Sequence, residues 1–482
     1  MRRRFLTLIF AAMALFAALP AYAGWSALAR LQRRGALVSA DAVNLGSGRR
    51  LAQIDRDQRL TPASLTKLVT AAAALKTWPP DYQFRTRLVA VGALRGHVLY
   101  GNLILAGAGD PSLTDRSLWV LATAVRAAGI RVVEGALQVD PLPFGTPSCG
   151  DEDRCAALVR SDFAYNAPLS AIGVDYGTWC MRIIPTRPGA LARVTGCSVS
   201  RLPIAVTGSI RTVPSGWRQT FWVEQRAVRG MDTIAVGGDV PMGESRRVYR
   251  AMSNPAYGTG LLLREQLREI GIRVDGGVRV RFAPLPADAT VLGHVSGLMV
   301  REQLWRMLQY SNNYIADVLT LDMGAQQQPY ETLASASQRL SNFVANIERY
   351  DPPRVAPPPL YSGSGLTTDN RLSAHDLVRL LVHEYHDTRR FPAFYAGLAV
   401  PHDAPFAFLR QGDAAWLNRV ALKTGTLNQP RSVCGIAGYL RTRRGGWIAF
   451  AALVNGGPRW RHVPLYQAIA AERAGVEALA RR

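Results

Sequence analysis

The sequence predicts a mixed α/β fold, more specifically one of the α+β class. A domain with a central antiparallel sheet flanked by helices is expected to be split by a large β-rich insertion. Helical patterns occupy residues 61–75 and much of the chain after residue 295, and short alternating strand patterns broken by Gly, Pro and Asp lie between them. A chain of 482 residues is also too long for one compact core. We therefore expect a main domain at 24–81 and 292–482 and one or two small inserted domains at 82–291.

The first 23 residues have the three parts of a secretory signal peptide. Three arginines precede an apolar run from Phe5 to about Ala18, and Ala21-Tyr22-Ala23 offers a small-residue cleavage site before Gly24. The apolar run is short for a bilayer span, although an uncleaved anchor is the alternative. The segment predicts export, and we expect the mature protein to begin at Gly24 in the periplasm.

The formal net charge of +22 predicts a surface that attracts polyanions. Nucleic acid does not suit an exported protein, which leaves peripheral contact with an anionic envelope surface. An ordinary solvated arginine surface explains the charge equally well. Lysine usage says more, because the chain has only three lysines, Lys67, Lys76 and Lys423. Sites that need only positive charge accept arginine, whereas a site that needs an amine able to lose its proton does not.

Five cysteines in an exported protein favour disulfides. Cys149 and Cys155 flank a short polar loop, and Cys180 and Cys197 flank a plausible hairpin, so two local bridges are expected. Cys434 then remains as a free thiol in an apolar run, where burial is expected.

The secondary structure can be predicted in chain order. A helix over 25–33 precedes a hairpin of runs 35–44 and 50–54, and Thr61 and Pro62 are expected to cap and open an alanine-rich buried helix. Within the insertion, 118–129 and 258–271 predict helices. Strands are expected at 419–426, 433–441 and 447–455, the last two as an antiparallel hairpin, before a closing helix at 465–480.

Ser64-Leu65-Thr66-Lys67 places a hydroxyl and an amine three residues apart in a predicted first helical turn, where they share a face. A serine needs a base to become a nucleophile, and an amine serves only when neutral. The reference pKa of a lysine amine is about 10.4, so burial and a nearby cation would have to lower the pKa of Lys67. Alone, the motif also describes a helix-start serine and a surface lysine.

Two further motifs follow. Ser311-Asn312-Asn313 lies at a predicted break between helices, where a simple helix cap is the alternative. Lys423-Thr424-Gly425-Thr426 ends a predicted strand and combines a cation, two hydroxyls and a glycine, which together suit a carboxylate. The conjunction is decisive, because Ser-x-x-Lys, Ser-x-Asn and Lys-Thr-Gly occur in the order found in β-lactamases and penicillin-binding proteins.

The chain resembles the low-molecular-mass class C penicillin-binding proteins, which are D-Ala-D-Ala carboxypeptidases/endopeptidases, over essentially the whole mature sequence. Besides the three motifs, the resemblance rests on segments spread along the chain: Gly107-Ala108-Gly109-Asp110-Pro111-Ser112-Leu113, Tyr165-Asn166-Ala167-Pro168 with Ser170-Ala171, Gly363-Ser364-Gly365-Leu366 with Asn370-Arg371-Leu372-Ser373, and Ala437-Gly438-Tyr439. It implies a transpeptidase-like catalytic domain, split after the first motif by an insertion for which an ordinary class A β-lactamase has no room.

The resemblance also implies roles for individual residues. Ser64 would be the acylated nucleophile and Lys67 its base, and Ser311 would relay a proton to the leaving amine. Asn313 would hold the substrate peptide and Lys423 would supply electrostatics. Thr424 and Thr426 would bind the terminal carboxylate, with Gly425 between them, and the amides of Ser64 and Thr426 would form the oxyanion hole. No cofactor or metal is implied.

The implied substrates are peptidoglycan peptides, with β-lactam antibiotics as covalent inhibitors. Two departures stand out, because family members commonly have Asp where this chain has Ser362 and Ser-Arg where it has Thr367-Thr368. We expect both at the rim of the site, where they would alter substrate preference. The alternatives are a β-lactamase or esterase with the same apparatus and a non-catalytic scaffold that binds the cell wall.

Overall fold

A computed structural model describes residues 24–142, 144–145, 162–197, 200–228, 231–326, 332–347 and 356–481. The chain divides into two compact units. The first unit comprises the described residues up to Pro80, together with Leu304–Asn312 and the residues from Ser337 onward. The second unit comprises Asp81–Gln303 and Asn313–Ala336. No helix among the described residues has the length and apolar character required to cross a membrane.

The helices, in chain order, are α1 Ser26–Arg33, α2 Thr66–Thr77, α3 Asp115–Ala127, α4 Pro255–Glu269, α5 Val300–Gln309, α6 Asn313–Ala325, α7 Leu333–Ala345, α8 Ala374–Tyr385, α9 Phe391–Ala396, α10 Ala414–Arg419 and α11 Leu465–Ala480. The strands are β1 Leu37–Asn44, β2 Arg50–Ile54, β3 Arg85–Arg95, β4 Val98–Ala106, β5 Val132–Val133, β6 Leu137–Asp140, β7 Thr178–Ile184, β8 Arg193–Gly196, β9 Ala205–Gly208, β10 Arg211–Val213, β11 Trp222–Val228, β12 Met231–Gly237, β13 Asp239–Pro241, β14 Arg246–Ala251, β15 Arg273–Val274, β16 Val278–Val280, β17 Thr290–Ser296, β18 Val420–Leu427, β19 Val433–Arg441 and β20 Trp447–Asn455.

The first unit is built on an antiparallel sheet with the order β18-β19-β20-β1-β2. Both predicted hairpins, β1–β2 and β19–β20, are confirmed by their registers. Helix α8 packs on β20 and β1, and α11 packs on β19 and on α1. Because helices cover the sheet, β19 and β20 are buried along nearly their whole length. The core between the sheet, α1 and α11 includes Trp25, Leu28, Val38, Ile436, Phe450, Val454, Val476 and Leu479.

The alanine-rich helix is buried as expected, but its start differs from the prediction. The chain enters through a 3₁₀ turn, Ala63–Leu65, and α2 begins only at Thr66. Thr61 does not cap this helix. Its hydroxyl donates instead to the carbonyl oxygen of Thr368, 3.1 Å away. The Thr61 side chain, which the local pattern predicted to cap the helix, therefore forms a tertiary hydrogen bond instead.

The second unit is β-rich, as predicted. Among its described residues, a seven-stranded sheet has the path β15-β5-β4-β3-β17, with β6 joining β4 to β16. Helices α3 and α4 pack against each other, and both lie where the sequence predicted helices. Each starts three residues earlier than expected, at a cap: Thr114 with Ser117 forms a capping box for α3, and Asn254 caps α4.

Smaller sheets complete the second unit, with the orders β14-β7-β8, β11-β12-β9 and β10-β13. The predicted disulfide between Cys180 and Cys197 is confirmed and links β7 to the end of β8. Cys434, on β19 in the first unit, is a free buried thiol as predicted. The predicted Cys149–Cys155 bridge lies outside the described residues.

Candidate active site

The turn that carries Ser64 has an unusual backbone. Ala63, the residue before it, has φ 47°, in the left-handed region that residues with a Cβ rarely adopt. Ala63 and Leu65 are buried, whereas Ser64 is only partly buried. The turn therefore presents the Ser64 hydroxyl at the start of α2 while its neighbours anchor it in the core. Backbone strain of this kind is concentrated at functional sites.

Lys67 is fully buried, and its amine lies against Ser64. Nζ donates to Ser64 Oγ at 3.0 Å and to the carbonyl oxygen of Ser364 at 2.7 Å. The predicted shared face of Ser64 and Lys67 is thus confirmed. The two contacts hold the amine at hydrogen-bond distance from the hydroxyl that it would have to deprotonate.

A glycine-rich loop packs against the same turn. Gly365 has φ +72°, and a Cβ added to it would lie 1.9 Å from the carbonyl oxygen of Ala63. On the other side of the loop, the Thr70 hydroxyl donates to the carbonyl oxygen of Gly363 at 2.8 Å. The loop therefore contacts both the Ser64 turn and α2 through its backbone, and only glycine fits at the point of closest approach.

The expectation that Ser362 lies at the rim of the site is wrong, because Ser362 is fully buried beneath this loop. Its hydroxyl accepts from the amide of Gly365 at 3.0 Å and lies 2.9 Å from the hydroxyl of Ser364. Asn370 continues the network, since its Nδ2 donates to the carbonyl oxygen of Ser362 and to Thr66 Oγ1. Ser362 therefore supports the loop whose carbonyl holds Lys67.

Strand β18 approaches the Ser64 turn from the side of the sheet. A Cβ on Gly425 would lie 2.4 Å from the carbonyl oxygen of Pro62 and 3.1 Å from the amide nitrogen of Leu65. Thr426, one residue further, is exposed, whereas Thr424 is partly buried. The strand thus brings its glycine against the backbone of the turn and leaves a threonine hydroxyl accessible beside it.

Lys423 precedes these residues on β18 and is 2% exposed. Its Nζ donates to the carbonyl oxygen of Thr424 at 2.7 Å, and no carboxylate pairs with it among the described residues. Burial lowers the pKa of Lys423 to about 7, because an ammonium ion loses its hydration in the interior. Its charge can therefore change near neutral pH.

The middle motif falls at a break between α5 and α6, as predicted. Ser311 has φ 55° and belongs to the first unit, as do Ser64, Lys67 and Lys423. Asn313 begins α6 in the second unit, and its Nδ2 donates to the carbonyl oxygen of Tyr165 at 3.0 Å. The first unit therefore unites the first and third motifs in direct backbone contact.

This arrangement can support proton transfer and anion binding. An amine 3.0 Å from a hydroxyl is within reach for general-base catalysis. The 363–366 segment carries part of the family resemblance, but its contact with Lys67 was not predicted. No local pattern could have shown that contact, because the partners are 297 positions apart in the chain.

Comparison with known proteins agrees with this geometry. The sequence model of the D-Ala-D-Ala carboxypeptidase 3 (S13) family matches residues 26–472. A D-alanyl-D-alanine carboxypeptidase of Actinomadura sp. (strain R39) is 29% identical, over 92% of this chain and 83% of that relative. The D-alanyl-D-alanine carboxypeptidase DacB of Haemophilus influenzae is 24% identical, over 88% of this chain and 86% of that relative.

The fold is also found among solved structures. The crystal structure of penicillin binding protein 4 (DacB) from Haemophilus influenzae has a TM-score of 0.73 and 21% sequence identity, and the match covers 94% of this chain and 99% of that one. The fold class and the family resemblance expected from the sequence are both confirmed. The chain belongs to the D-Ala-D-Ala carboxypeptidase 3 (S13) family of serine peptidases.

Proposed function

We propose that this carboxypeptidase acts on peptidoglycan stem peptides through an acyl-enzyme on Ser64, removing a terminal D-Ala or hydrolysing a D-Ala cross-link. The observation that carries the proposal is the fully buried Lys67 amine, 3.0 Å from Ser64 Oγ. The hydroxyl remains partly accessible at the turn, so a substrate carbonyl can reach it.

Lys67 acts as the general base. Ser64 Oγ attacks the carbonyl carbon of the penultimate D-Ala while its proton passes to Lys67 Nζ. The amine must be neutral to accept that proton. The carbonyl oxygen of Ser364 accepts one N–H of the amine, which fixes Nζ beside the hydroxyl.

The leaving amine needs a proton when the tetrahedral intermediate collapses. Ser311 relays that proton from Lys67 to the nitrogen of the departing D-Ala, and an ester on Ser64 remains. Water then attacks the ester and gives its proton to Lys67. Lys67 returns the proton to Ser64 Oγ as the acyl–oxygen bond breaks, which releases the shortened peptide as an acid and restores the Ser64 hydroxyl. Asn313 holds the peptide backbone of the substrate through its side-chain amide.

Strand β18 provides the anion-binding part of the site. Lys423, when protonated, supplies a positive field for the terminal carboxylate, and the hydroxyls of Thr424 and Thr426 donate to it. The amides of Ser64 and Thr426 form the oxyanion hole. The close backbone approach at Gly425 supports this assignment, because it brings the strand against the turn that carries the nucleophile.

Penicillin would enter the same chemistry, since its strained amide resembles the acyl-D-Ala carbonyl and its carboxylate suits Lys423. A penicillin binding protein 4 of similar fold has been solved in complex with a β-lactam, which supports this part of the proposal for the present chain. The signal-peptide pattern of residues 1–23 and the cell-wall substrate support a periplasmic location.

The test is a covalent adduct. Penicillin incubated with the mature protein should add its own mass to the peptide that contains Ser64, and Ser64→Ala should abolish the addition. Labelling of Ser64→Ala at the wild-type rate would reject the nucleophile. Purified muropeptides then separate the activities by their products, because a carboxypeptidase releases free D-Ala and an endopeptidase converts cross-linked dimers to monomers. An adduct that hydrolyses within seconds would favour a β-lactamase, and the absence of any adduct or product would favour a scaffold.

A further inference from the structure

The second unit contains a cleft of about 910 Å³ that none of the site residues lines. Its volume falls within the range of about 300–1,000 Å³ that is usual for ligand pockets. Its polar lining comes from β7, β8, the segment after β8 and the last turn of α4: Arg182, Thr195, Ser200, Arg201, Arg268 and Glu269. Arg268 is already paired with Glu265, at 2.9 Å and 2.6 Å. The guanidinium groups of Arg182 and Arg201 remain, against the one carboxylate of Glu269, and together they suit an anionic ligand.

Two of the arginines in the cleft have unused donors. The guanidinium of Arg201 is exposed and donates to no acceptor among the described residues. Arg182 donates from Nη2 to the carbonyl oxygen of Cys197 at 3.1 Å, whereas its Nε is buried and meets no acceptor in the described part of the chain. A buried donor without an acceptor is destabilising, so the guanidinium of Arg182 retains hydrogen-bonding capacity for a ligand.

The sheet beneath the cleft repeats this charge pattern. Arg182 on β7 lies directly opposite Arg247 on β14, and residues paired in this way share a face. Met181 and Ile183, which point to the other face, are fully buried in the core. Like charges directly opposite each other on a sheet are destabilising. A negative charge bound beside Arg182 would reduce that repulsion. Arg247 is exposed, so the basic face extends beyond the cleft.

The lining also carries an acceptor and apolar surface. Glu269 is used on one oxygen by the backbone amide of Arg201, and Leu202 and Ile204 line the same cleft. The Glu269 carboxylate can accept a hydrogen bond from an N–H group of a ligand, which a polymer of phosphates does not offer. A peptide with carboxylates, N–H groups and small aliphatic side chains matches all three parts of the lining.

We propose that this cleft is a second binding site for peptidoglycan stem peptides, which it holds by their carboxylates through Arg182 and Arg201. The identity of the ligand rests on the proposed function, whereas the site itself rests on the cleft. The residues that line it belong to the second unit, and Ser64 and its base belong to the first. None of the proposed catalytic residues lines the cleft, so the cleft itself would bind a stem peptide without cleaving it.

The experiment measures peptide binding after penicillin has blocked Ser64. The probe is a synthetic pentapeptide that contains a glutamate and ends in D-Ala-D-Ala, titrated into the acylated protein by calorimetry. The blocked wild type should still bind the peptide, and Arg201→Gln should bind it at least about tenfold more weakly, since a charge-assisted hydrogen bond contributes at least that much. Arg279→Gln is the matched control, because Arg279 is an exposed arginine on β16 of the same unit and lines no part of the cleft.

Two further arms identify the ligand. The diamide of the same peptide, which lacks both carboxylates, should bind at least about tenfold more weakly than the acid. Three results would each overturn the proposal. Arg201→Gln could bind the peptide as tightly as the wild type, or the blocked protein could fail to bind it. The third is Arg201-dependent binding to phosphatidylglycerol vesicles without binding of the peptide. Arg201→Gln is also measured in the Ser64→Ala background, where the loss of affinity caused by Arg201→Gln reports the cleft even if penicillin leaves no adduct, an outcome that rejects the nucleophile alone.

Discussion

Two buried lysines lie in the first unit, and their surroundings differ. Lys67, on α2, has its amine against the Ser64 hydroxyl and the Ser364 carbonyl oxygen. Lys423, on β18, donates to the carbonyl oxygen of its own neighbour Thr424, and burial lowers its pKa to about 7. The Lys67 amine contacts the hydroxyl proposed as the nucleophile, whereas the Lys423 amine contacts the backbone of its own strand. The difference suggests that Lys67 moves a proton and that Lys423 supplies charge.

The strongest test of this difference is Lys67→Arg, which preserves the charge. Guanidinium stays protonated in proteins, so the variant lacks the base that we propose. We expect the second-order rate of acylation by a chromogenic β-lactam to fall about 100- to 10,000-fold, the usual cost of losing a positioned base. Lys76→Arg is the matched control, because Lys76 is the exposed third lysine, and it should acylate at the wild-type rate.

Circular dichroism should show that both lysine variants are folded. If Lys67→Arg acylates within about threefold of the wild type, which is far from the loss expected for a base, Lys67 acts through charge alone and the contrast with Lys423 disappears.

The loop that positions Lys67 can be tested through Gly365. In Gly365→Ala, the added Cβ would meet the Ala63 carbonyl oxygen, so the loop must move away from the turn. We expect acylation to fall at least about tenfold, because misplacement of a catalytic group by about 1 Å can cost 100-fold. Gly445→Ala is the control, since Gly445 also has positive φ but a Cβ there meets nothing within 4 Å.

Gly445→Ala should therefore carry only the conformational cost, about 1–2 kcal/mol of unfolding free energy, with an unchanged acylation rate. Thermal unfolding and acylation rates measured on both variants separate the two effects. Equal losses of activity in both would show that the approach of the loop to the turn does not matter.

For Lys423, substitution by arginine should be mild. A fixed positive charge can still attract a carboxylate, although with altered geometry. We expect Lys423→Arg to keep its acylation rate within about tenfold of the wild type, equivalent to about 1.4 kcal/mol of transition-state stabilisation. A loss as large as that of Lys67→Arg would mean that Lys423 also transfers protons.

The pH dependence sharpens the same distinction. Because Lys423 is protonated below about pH 7 and neutral above it in the folded protein, its contribution to carboxylate binding should be full at pH 6 and decline as the pH rises through 7. The wild-type kcat/KM for a D-Ala-D-Ala peptide should therefore have a falling limb near pH 7. Lys423→Arg should lack this limb, and an identical profile in the two proteins would contradict the assigned role.

The same shift affects stability. An amine whose pKa is lowered on folding binds its proton more weakly in the folded than in the unfolded state, so Lys423 destabilises the protein fully below pH 7. This cost declines between about pH 7 and the unfolded value near 10.4.

Much of this site could be predicted because its signals are local. Ser64 and Lys67 share a face wherever their segment is helical, and Cys180 and Cys197 are brought together by one hairpin. The role of Ser362 could not be predicted, because its burial depends on a loop folding against a turn about 300 positions away. Thr61 is the reverse case. Its sequence position predicted a helix cap, but its hydroxyl donates to the carbonyl oxygen of Thr368, which is distant in the chain.

The place of β1 in the sheet has a consequence for biosynthesis. This strand, at Leu37–Asn44, pairs on one side with β20, at Trp447–Asn455. More than four hundred residues separate β1 from β20 in the chain, so β1 leaves the ribosome long before β20 is synthesised. The described strands of the second unit meanwhile pair only with one another. We therefore expect the insertion to fold first on the nascent chain and the five-stranded sheet of the first unit to form last. A product terminated before β20 would lack the central strand of that sheet.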